Sequence, residues 1–400
     1  MKKFILTLTY IIAVSATTPR NESLVFPLRI PPVIKDLYEE KLFTSRPKRS
    51  VRAKRQLEPG VYSCGHQGND MFVNFINPRY PGPDIAAGTC HFRLLKHSPD
   101  ICQVRVDFVD TELLSPRNGI CNEQYLLVTG TIWPLGFQRL CGINPDQHFY
   151  VHLNELGSFE HVDFAVTTVH SNKPYKFGLW LTQISCKEAP MVQAPGGCSQ
   201  YHFGNEGVIK TFNFEGVQYL ADQNYKICVR SEQGACFIGY AADTNHFMLQ
   251  IHPTYDNNNF VSRGSNRQSG RPPSGRGDED CTFDWLLIPG GRGNLTKYGM
   301  SYDRFCGGQL NSESNEEESI PIYSPITSQI IWLQFVSGSR DPYVMQDLEM
   351  RSTNRRTSTT ENAANYRNPL NEGFDGTGPG VRLRYAQLRN CIDSSPFINN

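Results

Sequence analysis

Twelve cysteines are the residues of this chain best placed to do chemistry, and their spacing decides which chemistry that is. They fall into two sets of six: Cys64, Cys90, Cys102, Cys121, Cys141 and Cys186, then Cys198, Cys228, Cys236, Cys281, Cys306 and Cys391. The local wording repeats as well. Cys121 opens C-N-E-Q-Y-L-L-V and Cys281 opens C-T-F-D-W-L-L-I, while Cys141 and Cys306 each precede a glycine. The spacing agrees except between Cys236 and Cys281 and between Cys306 and Cys391, where the second set is expanded. A thiol can be a nucleophile, a metal ligand or half of a bridge. An even count in an exported chain reads as bridges.

Export is written at the N-terminus. Lys2 and Lys3 precede an apolar run from Phe4 to Val14, followed by Ser15, Ala16 and Thr17. This is the pattern of a secretory signal with cleavage after Ala16. The run is too short for a membrane span, which takes about 20 apolar residues. No later stretch is long enough either, and Pro396 to Asn400 lacks the apolar tail of a lipid-anchor signal. Residues 17–55 hold no cysteine and end in Arg46-Pro47-Lys48-Arg49 and Arg52-Ala53-Lys54-Arg55. Both clusters have the R-x-K-R form that resembles a furin-like convertase target, so processing after Arg49 or Arg55 is expected. Cleavage after Arg55 leaves Gln56 free to cyclise.

Other catalytic patterns are missing from the text. The 10 histidines and 39 acids include no G-x-S-x-G elbow, H-E-x-x-H pair or dinucleotide glycine pattern. Pro289-Gly290-Gly291-Arg292-Gly293 has the glycines of a phosphate loop without its Lys-Ser/Thr ending, and reads as a turn leaving a strand. The chain is therefore not expected to be an enzyme. Lys plus Arg and Asp plus Glu both number 39, and a balanced charge gives no bulk attraction to nucleic acid.

The elements that must position these cysteines are strands. Gln103 to Phe108, Phe149 to Leu153 and Lys176 to Leu181 alternate with the period of a half-buried strand, and Ile330 to Phe335 and Val381 to Ala386 answer in the second set. Short strands punctuated by Gly, Pro and Asn predict an all-β chain of two antiparallel sandwiches. The 400 residues divide into a signal at 1–16, a basic pro-segment or linker at 17–55, modules at 60–186 and 198–391, a linker at 187–197 and a tail at 392–400. Pro190 and Pro195 make that linker stiff. The second module carries insertions near 252–280 and 338–380 whose Asn, Arg, Ser, Gly and Thr content predicts flexible loops.

The residues also resemble a known family. Asn77-Pro78-Arg79-Tyr80-Pro81, Cys90 opening a strand, Val106-Asp107-Phe108, a C-x-x-x-aromatic strand and a closing C-G resemble the CUB domain. Leu140-Cys141-Gly142-Ile143-Asn144, Thr182-Gln183-Ile184-Ser185-Cys186 and Ala221 to Cys228 resemble the secreted tandem CUB domain-containing proteins of arthropods. The resemblance implies CUB-like domains at 60–186 and 198–391. It also implies the pairs Cys64 with Cys90, Cys121 with Cys141, Cys198 with Cys228 and Cys281 with Cys306. Cys102 with Cys186 and Cys236 with Cys391 then close the remainder. Spacing alone does not choose among the connectivities that six cysteines allow.

Some CUB domains hold Ca2+ on three loop carboxylates, and the ion needs several converging hard oxygens. Glu112, Glu123 and Asp284 are the candidates that the resemblance supplies, with Asn154 and Glu155 as substitutes in the first module. Leu114 and Ser115 stand at an acidic position of the family, and Ser337 stands where a later Asp is expected. The acids are accordingly read as solvated loop residues, with no cofactor expected. Two further features could serve recognition: Arg276-Gly277-Asp278, which resembles an adhesion tripeptide, and the glycosylation sequon Asn294-Leu295-Thr296. A second sequon, Asn21-Glu22-Ser23, lies in the segment that the expected processing would remove. The function expected is non-catalytic recognition of an extracellular protein or glycan. The alternatives are an accessory or regulatory component of a secreted protease system and a structural matrix protein.

Overall fold

The computed structural model describes residues 59–153, 161–187, 189, 191–216, 218–249, 254–256, 259–261, 273–295, 300–338 and 378–389. The signal, the pro-segment with Arg49 and Arg55, most of both insertions, Asn154, Glu155, Thr296, Cys391 and the tail lie outside those residues.

The first half is built from β1 (Gly60–Tyr62), β2 (His66–Gly68), β3 (Phe72–Ile76), β4 (Gly88–Leu95), β5 (Ile101–Phe108), β6 (Gln124–Thr129), β7 (His148–His152), β8 (His161–Thr168) and β9 (Gly178–Ser185). They form a five-stranded sheet in the order β1-β3-β9-β5-β7 and a four-stranded sheet in the order β2-β4-β8-β6. The second half holds β10 (Cys198–His202), β11 (Glu206–Lys210), β12 (Gln223–Arg230), β13 (Ala235–Ala241), β14 (Phe247–Met248), β15 (Thr254–Asp256), β16 (Asn259–Val261) and β17 (Ser274–Arg276). After a single helical turn, α1 (Gly277–Asp280), come β18 (Trp285–Gly291), β19 (Tyr302–Gly307), β20 (Ile322–Pro325), β21 (Ile330–Ser337) and β22 (Gly380–Arg389). One sheet runs β11-β22-β13-β20, with β14 also on β22, and the other runs β10-β12-β21-β18-β19-β17.

The duplication seen in the cysteines is thus a duplication of topology. The order β3-β9-β5-β7 is matched by β11-β22-β13-β20, and β2-β4-β8-β6 by β10-β12-β21-β18. Alternation builds the cores: β8 buries Val162, Phe164 and Val166, and β21 buries Ile331, Leu333 and Phe335. Most ladders are antiparallel, but β1 with β3, β2 with β4 and β10 with β12 run parallel. Two of these parallel pairs lie against bridges, Cys64 to Cys90 beside β2 and β4 and Cys198 to Cys228 between β10 and β12, with Cα separations of 4.5 and 5.8 Å.

Three differences from the sequence reading have physical causes. The strands β5, β7 and β9 are buried at every position rather than half-buried, because both faces of their sheet are covered. The end of the first insertion is ordered structure: Ser274–Arg276 pairs with Phe305–Gly307 as an edge strand and continues into α1. Pro289 to Gly291 lie within β18, whose register shifts there, so the glycines accommodate an irregular ladder rather than a turn.

Candidate functional site

The linker and the start of the second half cover β5, β7 and the end of β9 along the seam between the halves, while Trp180 farther along β9 packs on Phe72, Met71 and Val109 of the first half. Tyr150 and Ile184 of the first half, Ala189, Val192 and Ala194 of the linker, and Cys198, Tyr201 and Cys228 of the second half form one buried cluster. Farther along, aromatic rings cross the seam without a break. Phe108 meets Phe212 at 6.4 Å between centroids, Phe137 meets Phe212 at 5.3 Å and Tyr225 at 6.5 Å, and Tyr225 meets Phe335 at 5.5 Å. Ring pairs of this kind add to the area they bury.

Backbone approach makes the fit close. Asn224 N donates to the carbonyl of Gly136, at φ 75°, at 2.7 Å, and a Cβ on Gly136 would stand 2.2 Å from the Asn224 carbonyl oxygen. Gly142, at φ 76°, lies against the Asn213 side chain, where a Cβ would stand 1.9 Å from Oδ1. Only glycine fits such a conformation and contact without strain. Two asparagines clasp each other there: Ile143 N donates to Asn213 Oδ1 at 2.9 Å, and Asn213 N donates to Asn144 Oδ1 at 2.7 Å. Gln147 Nε2 donates to the Thr211 carbonyl at 2.8 Å, and Ser199 Oγ to the Leu135 carbonyl at 2.7 Å.

A polar layer lies on the covered face of β5 and β7. Arg105 and Asp107, each 7% exposed, form a forked ion pair, with Nη2 to Oδ1 at 2.7 Å and Nε to both oxygens at 3.0 Å. Burial opposes the Arg105 charge, but Asp107 and Tyr150 outweigh it and push the guanidinium pKa up. Gln103 holds the linker through a reciprocal pair, Nε2 donating to the Ala194 carbonyl at 2.7 Å and Ala194 N donating to Oε1 at 2.9 Å. Beside it His152 places Nε2 3.3 Å from the Cys198 carbonyl, and His148 places Nε2 2.9 Å from the Tyr201 carbonyl oxygen. An imidazole beside an Arg and an Asp has the parts of acid–base chemistry, but here the imidazoles contact the second half's backbone and the Arg and Asp are bonded to each other. The arrangement holds two halves together.

The residues singled out from sequence are scattered over separate places. Lys176 Nζ lies between Asp110 at 2.9 Å and Glu112 at 3.1 Å. Glu123 is paired with Lys173 and, at 3.4 Å, with Arg117, and the Lys173 hydrogen bond lowers its pKa. Asp284 is fully buried in the second half, accepting from the Tyr219 hydroxyl and from Gly338 N at 2.8 Å. Ser337 turns inward to donate to the Leu220 carbonyl at 2.7 Å. Among the described residues no group of three His, Cys, Asp or Glu side chains is arranged to hold a metal ion. Glu112 and Glu123 of the first half each neutralise a lysine, and Asp284 lies apart from them in the second half, where it accepts internal donors.

Arg276 lies in β17, with its guanidinium 4.2 Å from the Tyr302 ring centre and paired to Glu313 at 2.8 Å, while Asp278 is exposed and paired to Arg304 at 3.1 Å. The tripeptide therefore presents its acid and folds its base down. Asn294 is exposed. Cys64 bonds Cys90, Cys102 bonds Cys186, Cys121 bonds Cys141, Cys198 bonds Cys228 and Cys281 bonds Cys306. Cys236 is also in a bridge, and no described cysteine is free. The seam residues escaped sequence reading because Q-x-R-x-D on β5 and H-x-Y-x-H on β7 have the alternation of an ordinary solvent face.

Comparison with known proteins supplies the class. Residues 195–388 match the family model described as the Animal CUB domain, which supports a CUB domain in the half that carries the insertions. No curated protein matches the sequence. Among solved structures, the CUB1-EGF-CUB2 domains of rat MASP-1 are 14% identical, with 82% of this chain and 100% of that one covered at a TM-score of 0.25. The corresponding human MASP-1/3 domain is 14% identical over 80% and 100% at 0.24. The full extracellular region of zebrafish Gpr126/Adgrg6 is 11% identical over 70% and 34% at 0.24. Superpositions that loose say nothing about shared partners.

Proposed function

We propose that the chain is a secreted, non-catalytic recognition protein in which two CUB-like sandwiches at 60–186 and 198–391 are held as one unit and bind an extracellular protein. The match of residues 195–388 to the Animal CUB domain carries this reading, since CUB domains are in general interaction modules without catalysis. The bridges support it, because a bridged sandwich presenting loops at its ends is suited to an oxidising space. The same reading includes removal of 1–16, processing after Arg49 or Arg55 and a glycan on Asn294, whose exposure leaves room for one.

The test uses chain secreted from eukaryotic cells and crosslinked in the extracellular fluid in which it is made. Capture of one extracellular protein at defined loop residues supports recognition. Capture of a protease points instead to an accessory role, and crosslinking chiefly to insoluble fibres points to a matrix role. Retention of the chain inside the cell with 1–16 attached sinks the reading. In the same preparation, Asn294→Gln is expected to remove one glycan's mass, and peptide mapping by mass spectrometry is expected to find the first residue at Ser50 or at a cyclised Gln56.

A further inference from the structure

Three histidines lie where the two halves meet: His148 and His152 contact the second half's backbone, and His202 packs on His148 with its Nε2 3.4 Å from Gln200 Oε1. His148 and His152 are both 6% exposed, and the His148 ring centre is 4.9 Å from that of half-buried His202. We propose that the seam is an acid-released latch, in which protonation of His148, His152 and His202 loosens the second half from the first while each sandwich stays folded.

The geometry at His152 is the most restrictive. Its Nε2 donates to the Cys198 carbonyl, so its Nδ1 is bare and accepts from Gln103 Nε2 at 3.1 Å. A proton on Nδ1 would set two donors face to face. Gln103 cannot turn its amide to relieve this without giving up both of its bonds to Ala194 of the linker. His148 Nε2 sits between the carbonyl oxygen of Tyr201 at 2.9 Å and its amide nitrogen at 3.1 Å, so the ring is fitted to the second half's first strand.

The surrounding charges do not welcome another cation. On β5 the Arg105 guanidinium faces the cluster, and the one acid there, Asp107, is already forked onto it. On β7 the neighbour is Tyr150, on β10 Tyr201, and on β22 Tyr385, whose ring is 6.5 Å from that of His202. Arg230 and Glu232 at the end of β12 pair with each other at 3.0 Å. Burial first, then Arg105 and His202, hold His148 well below the ordinary imidazole range. Burial and Arg105 bring His202 down to about 3, and burial lowers His152 against the pull of the Cys198 carbonyl.

The sign follows from linkage. With folded values below the open-state value of about 6.5, the closed seam has its full stability above that pH and loses it as pH falls toward the folded values. Within that window each histidine raises the open population about tenfold per pH unit. Structure inside the halves outlasts the window. Asp100, held down by Ser185, and Asp163, held down by Arg93, keep their bonds until the pH drops below the usual carboxylate range, and the disulfides do not respond to protons.

Hydrogen exchange and small-angle scattering on the full-length secreted chain, from pH 7.5 to 4.5 and corrected for intrinsic exchange rates, test the latch. Exchange at the seam amides of Ala194, Tyr201, Asn224 and Ala221, whose N donates to the Gly119 carbonyl at 2.9 Å, is expected to rise at least tenfold per pH unit below about 6.5 and the maximum dimension to grow, with β8 and β21 amides unchanged. A His148→Gln/His152→Gln variant is expected to flatten that rise. Seam protection that does not change with pH, loss of β8 and β21 protection together with the seam, or an unaltered rise in the variant overturns the proposal. The wild-type profile decides by itself if the variant does not fold.

Discussion

The same strand order appears twice, yet one copy buries a sheet face that the other leaves open. In the first half β5 and β9 are buried along their whole length. Their topological counterparts in the second half, β13 and β22, alternate, with Arg384 and Ala386 exposed on β22. The covered face carries the Arg105–Asp107 pair, 7% exposed at each residue, whereas the open face carries Arg384 paired to Asp243, with side chains 64% and 49% exposed. One fold thus uses the same sheet in two ways, as a docking platform and as a solvated surface. What distinguishes them is the neighbour that covers the face.

Substitutions that treat the two faces alike should reveal this difference. Asp107→Leu strands the Arg105 guanidinium in the seam, and urea unfolding should show a loss of about 3–5 kcal/mol. Phe212→Ala removes the ring shared by Phe108, Phe137 and Tyr225; calorimetry should show about 3–5 kcal/mol lost and one transition splitting into two as the halves uncouple. A single unsplit transition at lower temperature would mean that the halves share more than this contact. Gly136→Ala, which forces a Cβ toward the Asn224 carbonyl, should cost about 1–3 kcal/mol and raise protease sensitivity in the 187–197 linker. Arg384→Ala, on the open face, should stay within about 0.5 kcal/mol, and a larger loss would mean that another surface covers that face as well.

Strands and sandwiches were legible in the sequence because one-sided burial leaves a period of two, as β8 and β21 show. The outcome for β5 was not legible. Gln103, Arg105 and Asp107 alternate with Val104, Val106 and Phe108 as they would on a solvated strand, and nothing local shows that a linker will lie across them. The adhesion-like tripeptide shows the same limit, since Arg276 is taken up by Glu313 and Tyr302, which are remote in the chain. Histidine content likewise did not reveal that three of ten imidazoles meet at one seam.

By itself the sequence determined an all-β chain with a duplicated cysteine frame and a balanced charge, because those follow from composition and from periodicity within a few residues. The five described cysteine pairs are those that the family resemblance implied, whereas tertiary structure alone decided which polar strand face is wet and where the two halves lock. Those outcomes depend on residues tens of positions apart meeting across a surface. The energies that choose among them, desolvation of Arg105 and Asp107 and close contact at Gly136 and Gly142, exist only once the second half is in place.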